Sequence, residues 1–336
     1  MSSVRVGVLG ATGVVGQEIL SVLEQRRFPV GTLRALASAR SAGRKVQFGG
    51  ESILVEAAGP STFQGLDYVL ASAGASVTRE LCDAIRKSDA ILIDNSSAFR
   101  MRPDVPLVVP EVNPEAVRDH QGIIANPNCV AIILTVAVAP IHRRAGIRRI
   151  VVSTYQSASG AGLAAMEELK SQARQVLGGE RPVPRALPHP IAFNVFSHNA
   201  AVEESGYNGE ETKVMNETRK ILGAPDLAIT ATCVRVPVLR AHSESVNLTL
   251  REPLSEPEAR ELLAKAPGIE VVDDRARNVF PMPSTASGGD AVYVGRIRAD
   301  LSQPQGLGLD LFVCSDQLRK GAALNAVQIA ETLVKG

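Results

Sequence analysis

The chain has 336 residues, enough for two domains, with 45% apolar and 21% charged residues, ordinary values for a globular protein with a full core. Its formal net charge of +1 argues against a nucleic-acid or membrane surface as the main partner. Cys82, Cys129, Cys233 and Cys314 lie far apart without a C-x-x-C pair, so neither a zinc knuckle nor a disulfide frame is suggested, and no metal is expected. The longest apolar run is about a dozen residues, against the ~20 that span a bilayer. The N-terminus runs straight into a strand pattern with no signal peptide, and a reducing cytoplasm is the expected compartment.

Strands and helices alternate in the first half. Val4–Leu9 reads as a short buried strand, Val14–Gln25 as an amphipathic helix, and residues 33–37 as a second strand. Tyr68–Ala71 is another strand, 78–87 a helix, and Ile91–Asp94 and 107–109 further strands. Continuous apolar runs bounded by polar turns belong to parallel strands covered on both faces, which predicts a doubly wound α/β sheet of the Rossmann type. From about Ile150 the strands lengthen, at 150–153, 228–236 and 245–250, and 178–190 is a proline-rich excursion. That texture predicts an α+β domain with a mostly antiparallel sheet. Residues 319–334 are helical again. The expected division is a dinucleotide-binding domain, 1–127, completed by a C-terminal helix at 316–336, and a catalytic and dimerisation domain, 128–315.

Gly7, Gly10, Gly13 and Gly16 surround the first strand-to-helix turn. Glycines there let the backbone approach a pyrophosphate, and the helix amino-terminus offers N–H donors. The spacing is G-x-x-G-x-x-G, so a set of tight turns without a ligand is the alternative; the strand before and the helix after favour the dinucleotide. An NAD site usually has a carboxylate ~20 residues past the loop for the ribose 2′-OH. Here Ser38-Ala39-Arg40-Ser41-Ala42-Gly43 stands there, with none. An arginine and two hydroxyls suit a 2′-phosphate, which predicts NADP, the alternative being a solvated loop.

Asn126-Pro127-Asn128-Cys129-Val130 places a lone thiol directly before the apolar run 130–141, which reads as a buried helix. The unpaired N–H groups and positive dipole end at a helix start favour thiolate over thiol. Pro127 disfavours an earlier start. With the glycine loop and a distant histidine, this describes a thiol acylated by substrate beside a nicotinamide cofactor. The other three cysteines lie within a helix or apolar strand runs and read as structural.

The glycine loop, the S-x-x-S-x-G segment, Asp94-Asn95-Ser96-Ser97-Ala98-Phe99-Arg100 and the Cys129 motif together resemble aspartate-β-semialdehyde dehydrogenases. So do Tyr155-Gln156-Ser157-Ala158-Ser159-Gly160 and Arg235-Val236-Pro237-Val238-Leu239-Arg240-Ala241-His242. The resemblance covers the chain in order and is closest to the bacterial branch. It implies Cys129 as nucleophile, His242 as acid–base and Gln156 as the glutamine that orients substrate. It assigns the α-carboxylate of an aspartyl phosphate to Arg235, the ammonium to Glu210, and the phosphate to Lys213 and Arg100. Gly10, Thr12, Gly13, Val14, Val15, Ser38, Arg40, Ser41, Ser72, Ser159, Gly160 and Asn325 are the implied cofactor contacts.

Glu210 and Lys213, three apart in the helix expected at Gly209–Ile221, share one face, which is equally the spacing of a surface ion pair. Choosing Glu210 over Glu211 rests on that offset. The implied activity is NADPH-dependent reduction of aspartyl phosphate to aspartate semialdehyde with release of phosphate, by a homodimer serving lysine, threonine and methionine synthesis. N-acetyl-γ-glutamyl-phosphate reductase is the enzymatic rival, but its acetylated amine needs no acidic partner and its glycine-cysteine-tyrosine-type motif is absent. A non-catalytic paralogue acting as a binding or scaffold dimer is the rival of another class.

Overall fold

The computed structural model describes residues 3–304 and 306–335. The chain divides into two compact units, one running to Asn128 and resuming at Gly321, the other from Cys129 to Lys320.

The first unit is built on β1 (Val4–Leu9), α1 (Val14–Gln25), β2 (Val30–Ala37), β3 (Lys45–Phe48), β4 (Glu51–Ala57), β5 (Tyr68–Ala71), α2 (Ala75–Lys87), β6 (Ile91–Asp94) and β7 (Ile123–Ala125). Its sheet runs β3-β4-β2-β1-β5-β6-β7. All pairings are parallel except β3 with β4, so the doubly wound expectation holds. Strand order reverses between β1 and β5, the crevice where open α/β sheets hold ligands.

One expected strand is corrected. Within 107–109 only Leu107 bridges Ala125, and β7 takes the ladder position instead. Pro106 and Pro110 flank the segment, and Asn113 satisfies its backbone by accepting from Val109 N (2.9 Å) and donating to Leu107 O (2.9 Å). The helix expected at 78–87 starts earlier, at Ala75.

The second unit begins with α3 (Cys129–Ala145) and β8 (Ile147–Gln156), followed by α4 (Leu163–Leu177), β9 (Phe196–Ser197), α5 (Gly209–Ile221), β10 (Ala228–Arg235) and β11 (His242–Leu250). Then come α6 (Glu256–Ala264), β12 (Ile269–Val271), the single turn α7 (Pro283–Ala286), β13 (Val292–Ala299) and β14 (Gly308–Ser315). Its sheet runs β12-β13-β14-β11-β8-β10-β9. Only β12–β13 and β8–β10 pair in parallel, so the mostly antiparallel expectation also holds. Residues 130–139 are apolar all round apart from Thr135, which turns its hydroxyl onto Ala131 O (2.6 Å), and such a helix must be buried. It packs with α5 on one face of the sheet. A wide helical turn, Arg319–Ala323, leads back to α8 (Leu324–Lys335), whose Leu324, Val327 and Ile329 share a core with Val6, Val8 and Ile19 of the first unit. Among the described residues no helix is long and apolar enough to cross a membrane.

Candidate active site

In the first unit the predicted cofactor residues other than Asn325 gather at the carboxyl ends of β2, β1 and β5, three neighbouring strands. Gly10 has φ +87°, and a Cβ there would come within 2.9 Å of the Ser72 backbone. A Cβ at Gly16 would meet Ala11 Cα at 2.8 Å, so α1 can approach the loop only without one. Gly13 stands at the N-cap of α1 without a side-chain cap, leaving the first-turn N–H groups, those of Val14 and Val15 included, to face an anion. Thr12 Oγ1 donates to Ser41 Oγ (3.4 Å), which ties the glycine loop to the segment after β2. Ser38 and Arg40 are exposed there. This cradle fits the pyrophosphate and ribose of a dinucleotide.

The turn before Cys129 is braced by the same unit. Arg100 Nε donates to Asn126 O (3.0 Å) and its Nη2 to Asn95 O (2.7 Å). Asn126 Nδ2 donates to Asn95 Oδ1 (2.8 Å). Asn325 gives its two Nδ2 hydrogens to Val108 O (2.9 Å) and Asn126 Oδ1 (2.7 Å). It is fully buried, and its amide donors hold the turn. Arg100 likewise works here on the backbone.

In the second unit, sheet register assembles residues that are far apart in the chain. Gln156 on β8 pairs with Arg235 on β10, and both side chains are buried on the face that α3 and α5 cover. His242 opens β11 on the other side of β8. Gln156 Nε2 donates to Glu210 Oε1 (3.3 Å), while its Oε1 accepts from Thr154 Oγ1 (3.0 Å). Lys213 Nζ donates to Glu210 Oε2 at 3.4 Å. Glu211 is engaged elsewhere: one oxygen caps its own helix by accepting from Asn208 N (2.8 Å), the other accepts from Cys233 N (2.9 Å). Glu210 is therefore the carboxylate that faces Gln156.

Arg235 Nε donates to Asn199 Oδ1 (3.1 Å) and Nη1 to Ser157 O (2.9 Å). Burial pushes its pKa down, while negative charge at Cys129 and Glu210 works the other way, so thiol, guanidinium and carboxylate are within electrostatic reach of one another. Gly160 sits against this group: a Cβ there would lie 3.0 Å from Arg235 Nη1 and 3.0 Å from His242 Nε2. His242 Nδ1 accepts from Ser157 N–H (3.1 Å). Burial first, then the Arg235 charge, holds its pKa well below the ordinary imidazole value.

Sequence reading missed four neighbours. Ser157 and Gln317 join His242 and Ser159: Gln317 Nε2 donates to Ser159 Oγ and its Oε1 accepts from Ala241 N (2.9 Å). Asn199 holds Arg235. His198, held down to about 4 mainly by burial and then by Arg235, is a second histidine beside the group. Only Ser157 lay inside a recognised motif; the other three carry no spacing signal. Of the four cysteines, only Cys129 is not buried. Burial pushes the thiols of Cys82 and Cys233 up, and that of Cys314 to about 12, which suits inert residues.

Residues 5–120 match the family model described as semialdehyde dehydrogenase, NAD binding domain, and 138–320 the semialdehyde dehydrogenase, dimerisation domain. The chain is thus an oxidoreductase of the semialdehyde dehydrogenase class, using a nicotinamide dinucleotide. It is 56% identical to the aspartate-semialdehyde dehydrogenase of Synechocystis sp. over 99% of this chain and 98% of that one. The crystal structure of aspartate semialdehyde dehydrogenase II from Vibrio cholerae superposes with a TM-score of 0.96 at 41% identity, covering 99% of each chain. The same enzyme complexed with ASA gives 0.96 at 40%, covering 100% of this chain and 99% of that one. The chain belongs to the aspartate-semialdehyde dehydrogenase family.

Proposed function

We propose that the protein reduces L-aspartyl-4-phosphate to L-aspartate-4-semialdehyde and phosphate with NADPH, through a thioester on Cys129, in the synthesis of lysine, threonine and methionine precursors. The observation that carries this reading is the buried sheet face on which Gln156, Arg235 and His242 meet around Gly160. Among the described residues Arg235 Nη2 makes no hydrogen bond, and it suits the substrate α-carboxylate. Glu210 suits the ammonium, and Lys213, half-exposed beside it, the phosphate, with Arg100 as the further phosphate candidate. Gln156 orients the acyl group and His242 handles the proton. When bound, the dinucleotide supplies hydride to the acyl carbon.

The preference for NADP is supported by exposed Arg40 between Ser38 and Ser41. A homodimer is supported by the second face of the β8–β11–β14 sheet, where Tyr155 is 40% exposed and its ring lies 6.3 Å from that of Phe312, tilted by 43°. A cytoplasmic enzyme is the accompanying expectation.

The test is direct. Aspartyl phosphate without NADPH should acylate Cys129 and release phosphate, seen by mass spectrometry of the Cys129 peptide, and Cys129→Ala should do neither while keeping its fold and NADPH binding. NADPH oxidation with N-acetyl-γ-glutamyl phosphate but not aspartyl phosphate would overturn the substrate assignment. Sedimentation of a stable, active monomer would overturn the dimer.

A further inference from the structure

His198 follows β9 directly, and β9 pairs with β10 so that Phe196 stands opposite Arg235. The next residue, Asn199, accepts from Arg235 Nε at 3.1 Å, so this loop lies against the guanidinium. Within the loop the His198 ring is fixed from one side, where Nδ1 accepts from the Ala200 N–H at 3.2 Å. A backbone N–H can only donate, so a neutral ring bound in this way carries its proton on Nε2. Burial, then the Arg235 charge, holds the pKa down to about 4, which keeps the ring neutral at ordinary pH. Its Nε2 is buried and has no hydrogen-bond partner among the described residues. The charges that bear on the ring are those of Arg235, Glu210 and Lys213, the proposed handles for substrate.

We infer that His198 is a further substrate-binding residue, whose Nε2–H joins Arg235 Nη2 in holding the α-carboxylate and so selects for substrates that carry one. The inference rests on the aspartyl phosphate reading above. Two of the three charged neighbours are cations with no lone pair to offer, and the third, Glu210, already accepts from Gln156 and Lys213. A buried donor without an acceptor is costly, and an entering carboxylate removes that cost. Its two oxygens have lone pairs for several donors, so the Arg235 fork leaves room for one more. A neutral donor suits the place. A second cation beside Arg235 would be repelled, whereas an uncharged N–H adds a bond to the anion without that repulsion. The bond is made to a part of the substrate that does not react, so it should serve ground state and transition state alike.

Two variants divide the ring by its nitrogens. His198→Asn keeps an acceptor near the Nδ1 position for the Ala200 N–H, but no donor that reaches as far as Nε2. His198→Gln keeps a donor near the Nε2 position. The Asn variant should raise KM for aspartyl phosphate about tenfold or more with kcat little changed, the loss expected for a hydrogen bond to a charged group used equally in both states. The Gln variant should stay close to wild type. A role confined to the loop predicts the reverse order, and that order, or equal KM values for the two variants, overturns the inference. The substrate supplies a second readout. β-Alanyl phosphate keeps the ammonium and lacks the α-carboxylate, so its acylation of Cys129, followed as phosphate release with enzyme in excess, should be the same in wild type and the Asn variant. A loss by the same factor with both acyl phosphates overturns the inference. Aspartyl phosphate that fails to acylate Cys129 in the wild-type protein would strike the thioester reading instead, so the two failures are distinguishable.

Discussion

Arg235 and Gln156 stand opposite each other in the parallel register of β10 and β8, so one ladder fixes the spacing of two proposed substrate handles. The guanidinium is held further by Asn199 and by Ser157 O. Arg235→Lys keeps the charge but loses the planar fork and both anchors, so the exchange is not conservative. Substrate KM should rise and kcat fall, each by an amount felt as misplacement of the acyl carbon, where ~1 Å is worth about a hundredfold. NADPH affinity should stay nearly unchanged. A lysine variant with normal KM and weakened NADPH would place Arg235 against the cofactor.

Gly160 offers a finer probe of the same geometry. Its backbone does not need glycine, since its φ lies outside the left-handed region, yet a Cβ would press on both Arg235 and His242 at 3.0 Å. Gly160→Ala should therefore fold normally, with an unchanged melting temperature, and lose about tenfold or more in kcat/KM. Full activity would mean that both side chains move aside freely.

Glu210 and Glu211 separate substrate recognition from folding. Glu210→Gln should raise substrate KM with little change in melting temperature. Glu211→Gln weakens the helix cap and the bond to Cys233 N, and should lower stability by about 1 kcal/mol with KM near normal. Thermal melts beside steady-state kinetics would decide, and the reverse pattern would exchange their roles.

Much of this was legible in the sequence, for identifiable reasons. Parallel strands such as Ile91–Asp94 are buried on both faces and read as unbroken apolar runs. Cys129 announces itself through Pro127 and the apolar helix behind it. The hairpin of β3 and β4 also left a signal that the reading passed over: Gly49-Gly50, both at positive φ, between two alternating segments. Residues 107–109 misled because an apolar run says nothing of where its backbone groups go, and Asn113 had claimed the Val109 N–H and the Leu107 carbonyl. The residues that brace His242 and Arg235 were harder to read for another reason. Ser157, Gln317 and Asn199 meet the site through sheet register and loop returns, contacts that carry no local periodicity.

Cofactor choice can be tested at Arg40. Only NADPH carries the phosphate that this side chain is proposed to meet, so Arg40→Ala should weaken NADPH and spare NADH. The site is exposed, which places the expected loss near the lower end for a charge-assisted contact, about tenfold in the NADPH/NADH preference. Equal weakening of both, measured as dissociation constants, would show that Arg40 shapes the loop rather than reads the phosphate.

The last prediction concerns Glu244, two residues past His242 on β11. Its carboxyl is fully buried between the Thr154 and Val313 register positions, and neither oxygen has a hydrogen-bond partner among the described residues. Burial pushes its pKa well above the ordinary glutamate value, so in the folded protein the group stays neutral where the unfolded chain would ionise it. The sign follows from proton binding. Below the unfolded value of about 4.3 both states are protonated and the penalty is absent. As pH rises, only the unfolded state releases its proton, and stability falls by about 1.4 kcal/mol per unit until the folded pKa is reached. Glu244→Gln has nearly the same shape and no titration, so it escapes that loss. Melting temperatures of the two proteins should be close near pH 4.5 to 5 and diverge in favour of the variant toward pH 8, by several degrees if the folded pKa lies above neutrality. A difference that stays constant across that range would mean that Glu244 carries the same charge in both states, and that a partner for its carboxylate exists inside the fold.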